Sequence, residues 1–156
     1  MNLANLEKFS GVATKPRTAD VPVPELAGWG LFDEGEALVW TVRSLTALEF
    51  YQCAEAQNEA VRKLHMALAQ ALAGGEGAVT ALRDVAEQTP GEFSKKLEMV
   101  ARASVSPAIG DQYRDVVVKL SEAHPVVFFR LVTAVENLFV QGAELGKPKP
   151  SGAMAG

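Results

Sequence analysis

Two histidines and one cysteine are the side chains best suited to metal binding or nucleophilic catalysis: His65, His124 and Cys53. Metal sites need His, Cys and carboxylate ligands in clusters, and Cys53 lies twelve positions before His65 in no such cluster. A nucleophilic thiol needs a base held beside it, whereas Glu49, one helical turn away, raises the pKa of a thiol. The pattern therefore predicts a small buried side chain at Cys53, structural or solvated histidines, and no metal site.

Glycines and carboxylates give no stronger chemical signal. The glycines at 74, 75 and 77 do not form a phosphate-binding loop, because no strand precedes them and no Gly-Lys-Ser/Thr follows. The helix before them carries mixed charges at Glu49, Glu55, Glu59, Arg62 and Lys63. Glu59 and Lys63 can pair at i, i+4 for about a few tenths of a kcal/mol, which is typical of a solvated face. We therefore predict no catalytic residue, no cofactor and no enzymatic activity.

The composition predicts one globular domain. The chain has 156 residues, of which 48% are hydrophobic and 22% charged, enough to bury a core without disulfides or metals. The formal net charge of -4 and the scattered basic residues argue against nucleic acid as a partner. Glu7 and Lys8 interrupt the first ten residues, and no run of about 18 apolar residues follows, so we expect neither a signal peptide nor a membrane partner. A single cysteine favours the reducing cytoplasm.

The first part of the chain predicts a flexible arm and then a small β-ribbon. A glycine, a proline and scattered polar residues interrupt any period in residues 1–20, although the apolar spacing at the start also fits one helical turn. The alternating Val and Pro of 21–25 restrict that segment to an edge strand or a polyproline-like conformation. Alternating apolar residues at 37–43 indicate a second strand. The resulting antiparallel ribbon is marginal unless it lies against helices or another subunit.

A long helix follows the ribbon. Thr46 and Glu49 form a capping-box pattern, which satisfies free amide groups at a helix start, and Gly74 marks the helix end. Along this helix a seam recurs at alternating spacings of four and three, with one glutamine among apolar residues: Phe50, Ala54, Gln57, Val61, Leu64, Leu68 and Ala71. Such a seam is suited to lengthwise contact with another helix.

Three shorter helices are predicted next, each from periodic apolar residues bounded by turn or cap signals. They are a helix at 78–88, a helix capped by Thr89 that ends near Ala103, and a helix capped by Asp111 with Tyr113, Val116, Val117 and Leu120 inward. His124-Pro125 ends the third of these, because proline disfavours a helical conformation in the residue before it.

The last helix, which runs to Gln141, is the most apolar segment of the chain. One face carries the i, i+3, i+4, i+7 spacing of a core stripe: Phe128, Leu131, Val132, Val135, Leu138 and Phe139. Val127, Phe129 and Val140 fall outside this stripe. The helix therefore has more apolar surface than one stripe can bury, and we expect a second binding partner for it.

Together these elements predict a mainly α fold with about five helices, a small N-terminal β-ribbon and flexible termini. The domain spans 21–141 and follows the flexible arm at 1–20. A tail at 142–156, rich in Gly, Pro and Ala, is expected to be disordered. Flexible arms can also cross to a neighbouring subunit, so self-association into a homo-oligomer is a further expectation.

The surplus apolar side chains leave two interpretations open. A five-helix domain can surround all of them, or some of them can form a face for a partner helix. The second interpretation predicts a partner-binding face made of five residues from the long and the last helix: Phe50, Tyr51, Val127, Phe128 and Phe129.

The order of these features resembles a known protein family. The segments that carry the resemblance are VPVPE at 21–25, WTVRSLTALE at 40–49, KLSEAHPVVFFRL at 119–131 and the Gly-Lys-Pro of the tail. With the helical middle between them, they resemble the tail assembly chaperones of long-tailed bacteriophages. The resemblance implies a small, mostly helical, non-enzymatic protein of the bacterial host cytoplasm. Such a protein binds the tape-measure protein, keeps it soluble and helps to recruit tail-tube subunits.

Two other functions remain open. A small phage-encoded regulatory or inhibitory adaptor would bind one host protein directly and retain it stoichiometrically. An enzyme would need a deep polar pocket around His65 or His124 with converging carboxylates. The chaperone is the hypothesis that we favour, because a tape-measure protein offers long helices with apolar stripes, which a face rich in Phe and Val would cover.

Overall fold

The computed structural model describes residues 3–10, 15–74, 77, 80 and 91–145. These residues form a mainly α structure with a small antiparallel sheet, which confirms the predicted fold class. The elements within them are α1 (Leu3–Ser10), β1 (Thr18–Pro22), β2 (Val39–Arg43), α2 (Ala47–Leu72), α3 (Gly91–Ala103), β3 (Ser104–Ser106), α4 (Tyr113–Ala123) and α5 (Pro125–Leu145). None of these described helices is long and apolar enough to cross a membrane.

The strands form a three-stranded sheet in the order β1-β2-β3. β1 and β2 pair antiparallel, with Val21 opposite Trp40, so the predicted ribbon is present. Its first strand is 18–22 rather than 21–25, because Pro24–Leu26 form a 3₁₀ turn. Pro22 is tolerated because it lies at the end of an edge strand, where a missing amide breaks no ladder. β3 was not predicted, since a strand of three residues directly after a helix leaves no alternating pattern to detect.

The N-terminal region is more ordered than the flexible arm predicted for residues 1–20. Leu3–Ser10 form a helix, and β1 already begins at Thr18. Arg17 ties the chain to the domain: its backbone N–H donates to Ser44 Oγ at 3.1 Å, and its Nη2 donates to the Leu138 carbonyl at 2.9 Å. The anchoring partners are far away in sequence, so local periodicity could not indicate them.

The core lies between the sheet and the last three helices. Helix α5 contacts α3, α4, β1 and β2, while α2 packs along α3. The largest fully buried side chain is Trp40 on β2, whose Nε1–H donates to Ser104 Oγ at 2.9 Å. Ser104 in turn donates to the Val100 carbonyl at 2.6 Å. The indole can therefore be buried without an unsatisfied donor, which would otherwise cost about 1–3 kcal/mol.

The start of α2 confirms the capping box. The Glu49 amide donates to Thr46 Oγ1 at 3.2 Å, and the Thr46 amide donates to Glu49 Oε2 at 2.9 Å. Arg43, at the end of β2, donates to both carboxylate oxygens of Glu49 at 2.6 and 2.9 Å. This bidentate pair lowers the pKa of Glu49 from 4.5 to about 2, and the Thr46 amide adds to the effect. The helix ends at Leu72, just before Gly74, which has a positive φ of 73°.

The last three helices follow the predicted core faces. Buried positions on α3 and α4 include Leu97, Val100, Val117 and Leu120. The prediction that Asp111 caps α4 is wrong: the cap residue is Gln112, which makes no side-chain capping bond, and Gly110–Gln112 form a 3₁₀ turn. The break at His124-Pro125 is confirmed, since α4 ends at Ala123 and α5 begins at Pro125.

Helix α5 continues past Gln141 to Leu145, so the structure differs from the predicted disordered tail in its first four residues. The remainder of that tail, 146–156, lies outside the described residues. Most of the helix predicted at 78–88 also lies outside the described residues, and so does Thr89, the predicted cap of the following helix.

The Arg43–Glu49 pair predicts a pH-dependent contribution to stability. Glu49→Gln should lower the free energy of unfolding at neutral pH by about 1–2 kcal/mol, after allowance for screening of a side chain that is 23% exposed. A carboxyl with a depressed folded pKa contributes stability above its unfolded pKa of 4.5 and loses it as the pH falls through about 2. The difference in the free energy of unfolding between wild type and Glu49→Gln should therefore shrink as the pH falls from 4.5 to about 2.

Urea titrations monitored by circular dichroism at several pH values between about 2 and 7 measure this gap. Thr133→Ala, which removes an exposed hydrogen bond to the Phe129 carbonyl, is the control and should lower stability equally over the whole pH range. Wild-type and Glu49→Gln curves that stay parallel down to pH 2 would contradict the prediction.

Candidate functional site

Side chains from helices α2, α3 and α5 line an open groove with a volume of about 530 Å³. We call it the three-helix groove. Nine side chains line it: Phe50 and Gln57 from α2, Glu92, Lys95, Lys96 and Met99 from α3, and Glu136, Phe139 and Val140 from α5. Its floor is apolar, and charged side chains stand on two of its three walls.

Two aromatic rings form the centre of the floor. Phe50 and Phe139 stack with their centroids 4.9 Å apart and their planes 14° from parallel. Met99 is buried beside them, whereas Phe139 and Val140 are 50% and 51% exposed. An offset aromatic stack contributes about 0.5–1.5 kcal/mol beyond the area that it buries. The stack therefore holds both rings in one position while half of the Phe139 surface remains in contact with water.

Two consecutive lysines of α3 lie over aromatic rings, one partly buried and one 46% exposed. Lys95 Nζ is 4.7 Å from the centroid of Phe50, and Lys96 Nζ is 5.9 Å from the centroid of Phe129. Ammonium groups at these distances are attracted to the negative faces of the rings. Lys96 is also 3.6 Å from Glu92, one helical turn earlier. Each of the two rings thus has a partly buried ammonium group beside it in addition to its aromatic neighbour.

Close contact between α2 and the start of α3 sets the width of the groove. Gly91 begins α3 next to Gln57, and a Cβ atom added at Gly91 would lie 3.0 Å from the Gln57 carbonyl oxygen and 3.2 Å from its Cγ. A side chain at this position would therefore require Gln57 to shift by a few tenths of an ångström. Gln57, the polar member of the predicted seam, therefore lies at a helix contact and lines the groove with its side chain.

The five residues predicted as a partner-binding face do not lie together. Phe50 lines the groove, and Phe129, which is 46% exposed, is linked to it through Lys96. Tyr51 is 63% exposed but does not line the groove. The assignment of Val127 and Phe128 to that face is wrong, because both are almost completely buried in the core.

Phe128 is buried because other helices cover it. Its ring is 5.3 Å from that of Phe93 on α3, and it lies in the same cluster as Trp40 and Leu131. Phe129, the next residue, points about 100° further around α5 and keeps nearly half of its surface exposed. Helical rotation alone thus separates a core residue from a surface residue at adjacent positions.

Several groove residues were missed as binding residues in the sequence. Phe139 was assigned to the core stripe, and Lys95, Lys96 and Met99 were given no binding role. The available signal was Val140, which falls outside the stripe one residue after Phe139. An apolar residue beside the last residue of a core stripe indicates that the core no longer covers this part of the helix.

The apolar seam of α2 divides into two parts. Its first part packs against α3 or lines the groove, with Ala54 and Gln57 half-buried. Beyond Gln57, Val61, Leu64 and Leu68 are each more than 40% exposed. Apolar surface therefore extends from the groove along the same helix face.

The histidines and the cysteine show no arrangement for catalysis. Cys53 is fully buried, as predicted, and burial raises the pKa of its thiol to about 11, so the thiolate is scarce at neutral pH. His65 lies on an exposed part of α2, where the shallow depression around it includes Arg62 but no carboxylate. His124 packs against Trp29 with ring centroids 5.3 Å apart. Among the described residues, no three His, Cys, Asp or Glu side chains could together hold a metal ion.

Comparison of the chain with known protein families, with curated proteins and with solved structures finds no match. Functional inference therefore depends on the geometry of the groove and on the chemistry of the residues that line it.

The contrast between Phe128 and Phe139 predicts different effects on stability. Phe128→Ala should lower the free energy of unfolding by about 3–5 kcal/mol, because it empties a fully buried site. Phe139→Ala should cost less than about 1.5 kcal/mol, because half of the ring is already in water. Guanidinium titrations of the two purified variants measure both values. Equal losses would show that Phe139 belongs to the core and that the groove floor is closed.

Proposed function

We propose that this protein is a tail assembly chaperone of a long-tailed bacteriophage, which holds helical segments of the tape-measure protein in the three-helix groove. The observation that supports this function best is the Phe50–Phe139 stack at the centre of an open apolar groove, with Phe139 50% exposed. The resemblance of the segments at 21–25, 40–49 and 119–131 to that family supplies the identity of the partner.

The shape of the groove favours a helix as the bound element. Helix-in-groove recognition needs an elongated apolar trough whose walls are themselves rigid. Here the walls are three helices, and two of them are fixed to the core through the contact between Phe93 on α3 and Phe128 on α5. The exposed residues Val61, Leu64 and Leu68 lengthen the apolar surface along α2. A bound helix can therefore contact the floor and the α2 seam at the same time.

This geometry suits a chaperone, which must bind and later leave. The groove is open and Phe139 at its centre is 50% exposed, which suits weak and reversible binding better than the large, tightly packed interface of a permanent complex. Weak, repeated binding along a long tape-measure chain would cover its apolar stripes and then yield to tail-tube subunits. In this proposal the protein acts in the bacterial host cytoplasm, catalyses no reaction and needs no cofactor.

Co-expression with a tape-measure fragment in bacteria tests the proposal. Wild-type protein should keep most of the fragment in the soluble fraction, and Phe139→Glu should release it into the pellet, because a carboxylate on the floor repels an apolar stripe. Leu48→Glu is the matched control: it places the same charge on another exposed apolar residue, which does not line the groove, and should remain active.

Three results would reject the proposal. The first is a fragment that stays insoluble with wild-type protein. The second is an equal effect of both substitutions, which would show that the solubility of the fragment does not depend on the groove. Pull-down from host lysate gives the third, since stoichiometric retention of one host protein would favour the inhibitory adaptor instead.

A further inference from the structure

We propose that the helix bound in the three-helix groove is charged unequally on its two sides: carboxylates flank its apolar stripe where it meets α3, and basic side chains flank it where it meets α5. This inference rests on the proposed function, since it assumes that the groove binds a helix. It adds the charge pattern of the bound segment.

The α3 wall of the groove is cationic. It contributes two lysines, Lys95 and Lys96, and one carboxylate, Glu92, so its net charge is +1. Glu92 is already engaged by Lys96 at 3.6 Å. Among the described residues, no carboxylate pairs with Lys95, and its ammonium group lies 4.7 Å from the centre of the Phe50 ring. Lys95 is therefore the available cation on this wall.

The α5 wall has the opposite charge. Its only charged groove residue in the described part of the chain is Glu136, which no described Lys or Arg pairs with. Glu136 lies three and four positions before Phe139 and Val140, so the three side chains share one face of α5. The α2 wall contributes Phe50 and Gln57 and is uncharged. The groove thus has a positive and a negative side across one apolar floor.

A bound helix makes this difference energetically important. It must cover Phe50 and Phe139 and so removes water from around Lys95 and Glu136, which strengthens electrostatic interactions at both walls. Carboxylates facing Lys95 and cations facing Glu136 would compensate the lost hydration. The reverse arrangement brings like charges together on both sides, which is unfavourable. A helix with carboxylates on one flank and basic side chains on the other therefore binds in one direction. A helix with both charges on each flank gains little electrostatic attraction in either direction.

Two synthetic peptides of identical composition test this inference. Both are helical, carry the same Leu stripe, and contain equal numbers of Glu and Lys. In the sided peptide all Glu lie on one flank and all Lys on the other, whereas in the mixed peptide each flank carries both. Fluorescence anisotropy of labelled peptides with the full-length protein measures the dissociation constants at low and high salt.

The sided peptide should bind about five-fold more tightly at low salt, and the preference should shrink at about 1 M salt because exposed charges are then screened. Lys95→Glu should abolish the preference, because both walls are then negative. The double variant Lys95→Glu/Glu136→Lys should restore it, because exchanging the two charges only reverses the direction of the bound helix. Both positions are partly or fully exposed, so these variants should fold normally.

The outcomes separate this inference from the function on which it rests. Equal binding of both peptides, or a preference that Lys95→Glu leaves unchanged, would overturn the sidedness of the groove and leave helix binding intact. If neither peptide binds, helix binding in the groove is itself wrong, and the inference fails with it. Loss of the preference in Lys95→Glu together with its return in the double variant supports the inference.

Discussion

The constraint on which the structure depends is that α5 carries more apolar surface than one helix face can bury. The domain covers the face that includes Phe128, Leu131 and Val135, which the sheet, α3 and α4 enclose. Phe139 at the end of that face, and Phe129 and Val140 on the neighbouring one, remain about half exposed. The fold is stable because most of the first face is closed, and the groove is open because these three side chains are not fully covered.

The groove is firm because its walls also serve the core. Met99 is buried between the floor and the interior of the domain, and α3 contacts α2, α4 and α5. The network from Trp40 through Ser104 to Val100 ties the end of α3 to the sheet. The charged groove residues lie on the α3 and α5 walls, beside the apolar floor. In the proposed complex the floor would supply affinity, and the charged walls would favour one direction of the bound helix.

Local signals were the easiest to predict from the sequence. The Thr46–Glu49 capping box, the break at His124-Pro125 and the pairing of the first two strands depend on neighbouring residues or on simple alternation. The cap assigned to Asp111 was wrong because Gly110 adopts a left-handed φ of 60° and starts a 3₁₀ turn, so α4 begins one residue later than a cap at Asp111 predicts. The hydrogen bond from Arg17 to the Leu138 carbonyl joins residues that are far apart in the sequence, so no periodic pattern could predict it.

The candidate site was only half predictable for a related reason. Periodicity shows which residues share a face of α5, but it does not show which neighbouring helix covers that face. Val127 and Phe128 were therefore assigned to a binding surface although the core encloses them, while Phe139 was assigned to the core although only one side of its ring is covered, by Phe50. The contribution of Lys95 depends on its reach across to Phe50, which only the packing of α3 against α2 determines.

The central claim is that a tape-measure helix occupies the groove, and methyl-detected NMR tests it most directly. Titration of the labelled protein with a tape-measure fragment should shift the methyl signals of Met99 and Val140, which line the groove, and leave those of Val21 and Val42 in the sheet unchanged. A binding isotherm from the first pair would locate the partner on the groove floor. Unchanged Met99 and Val140 signals in the presence of saturating fragment would contradict the account.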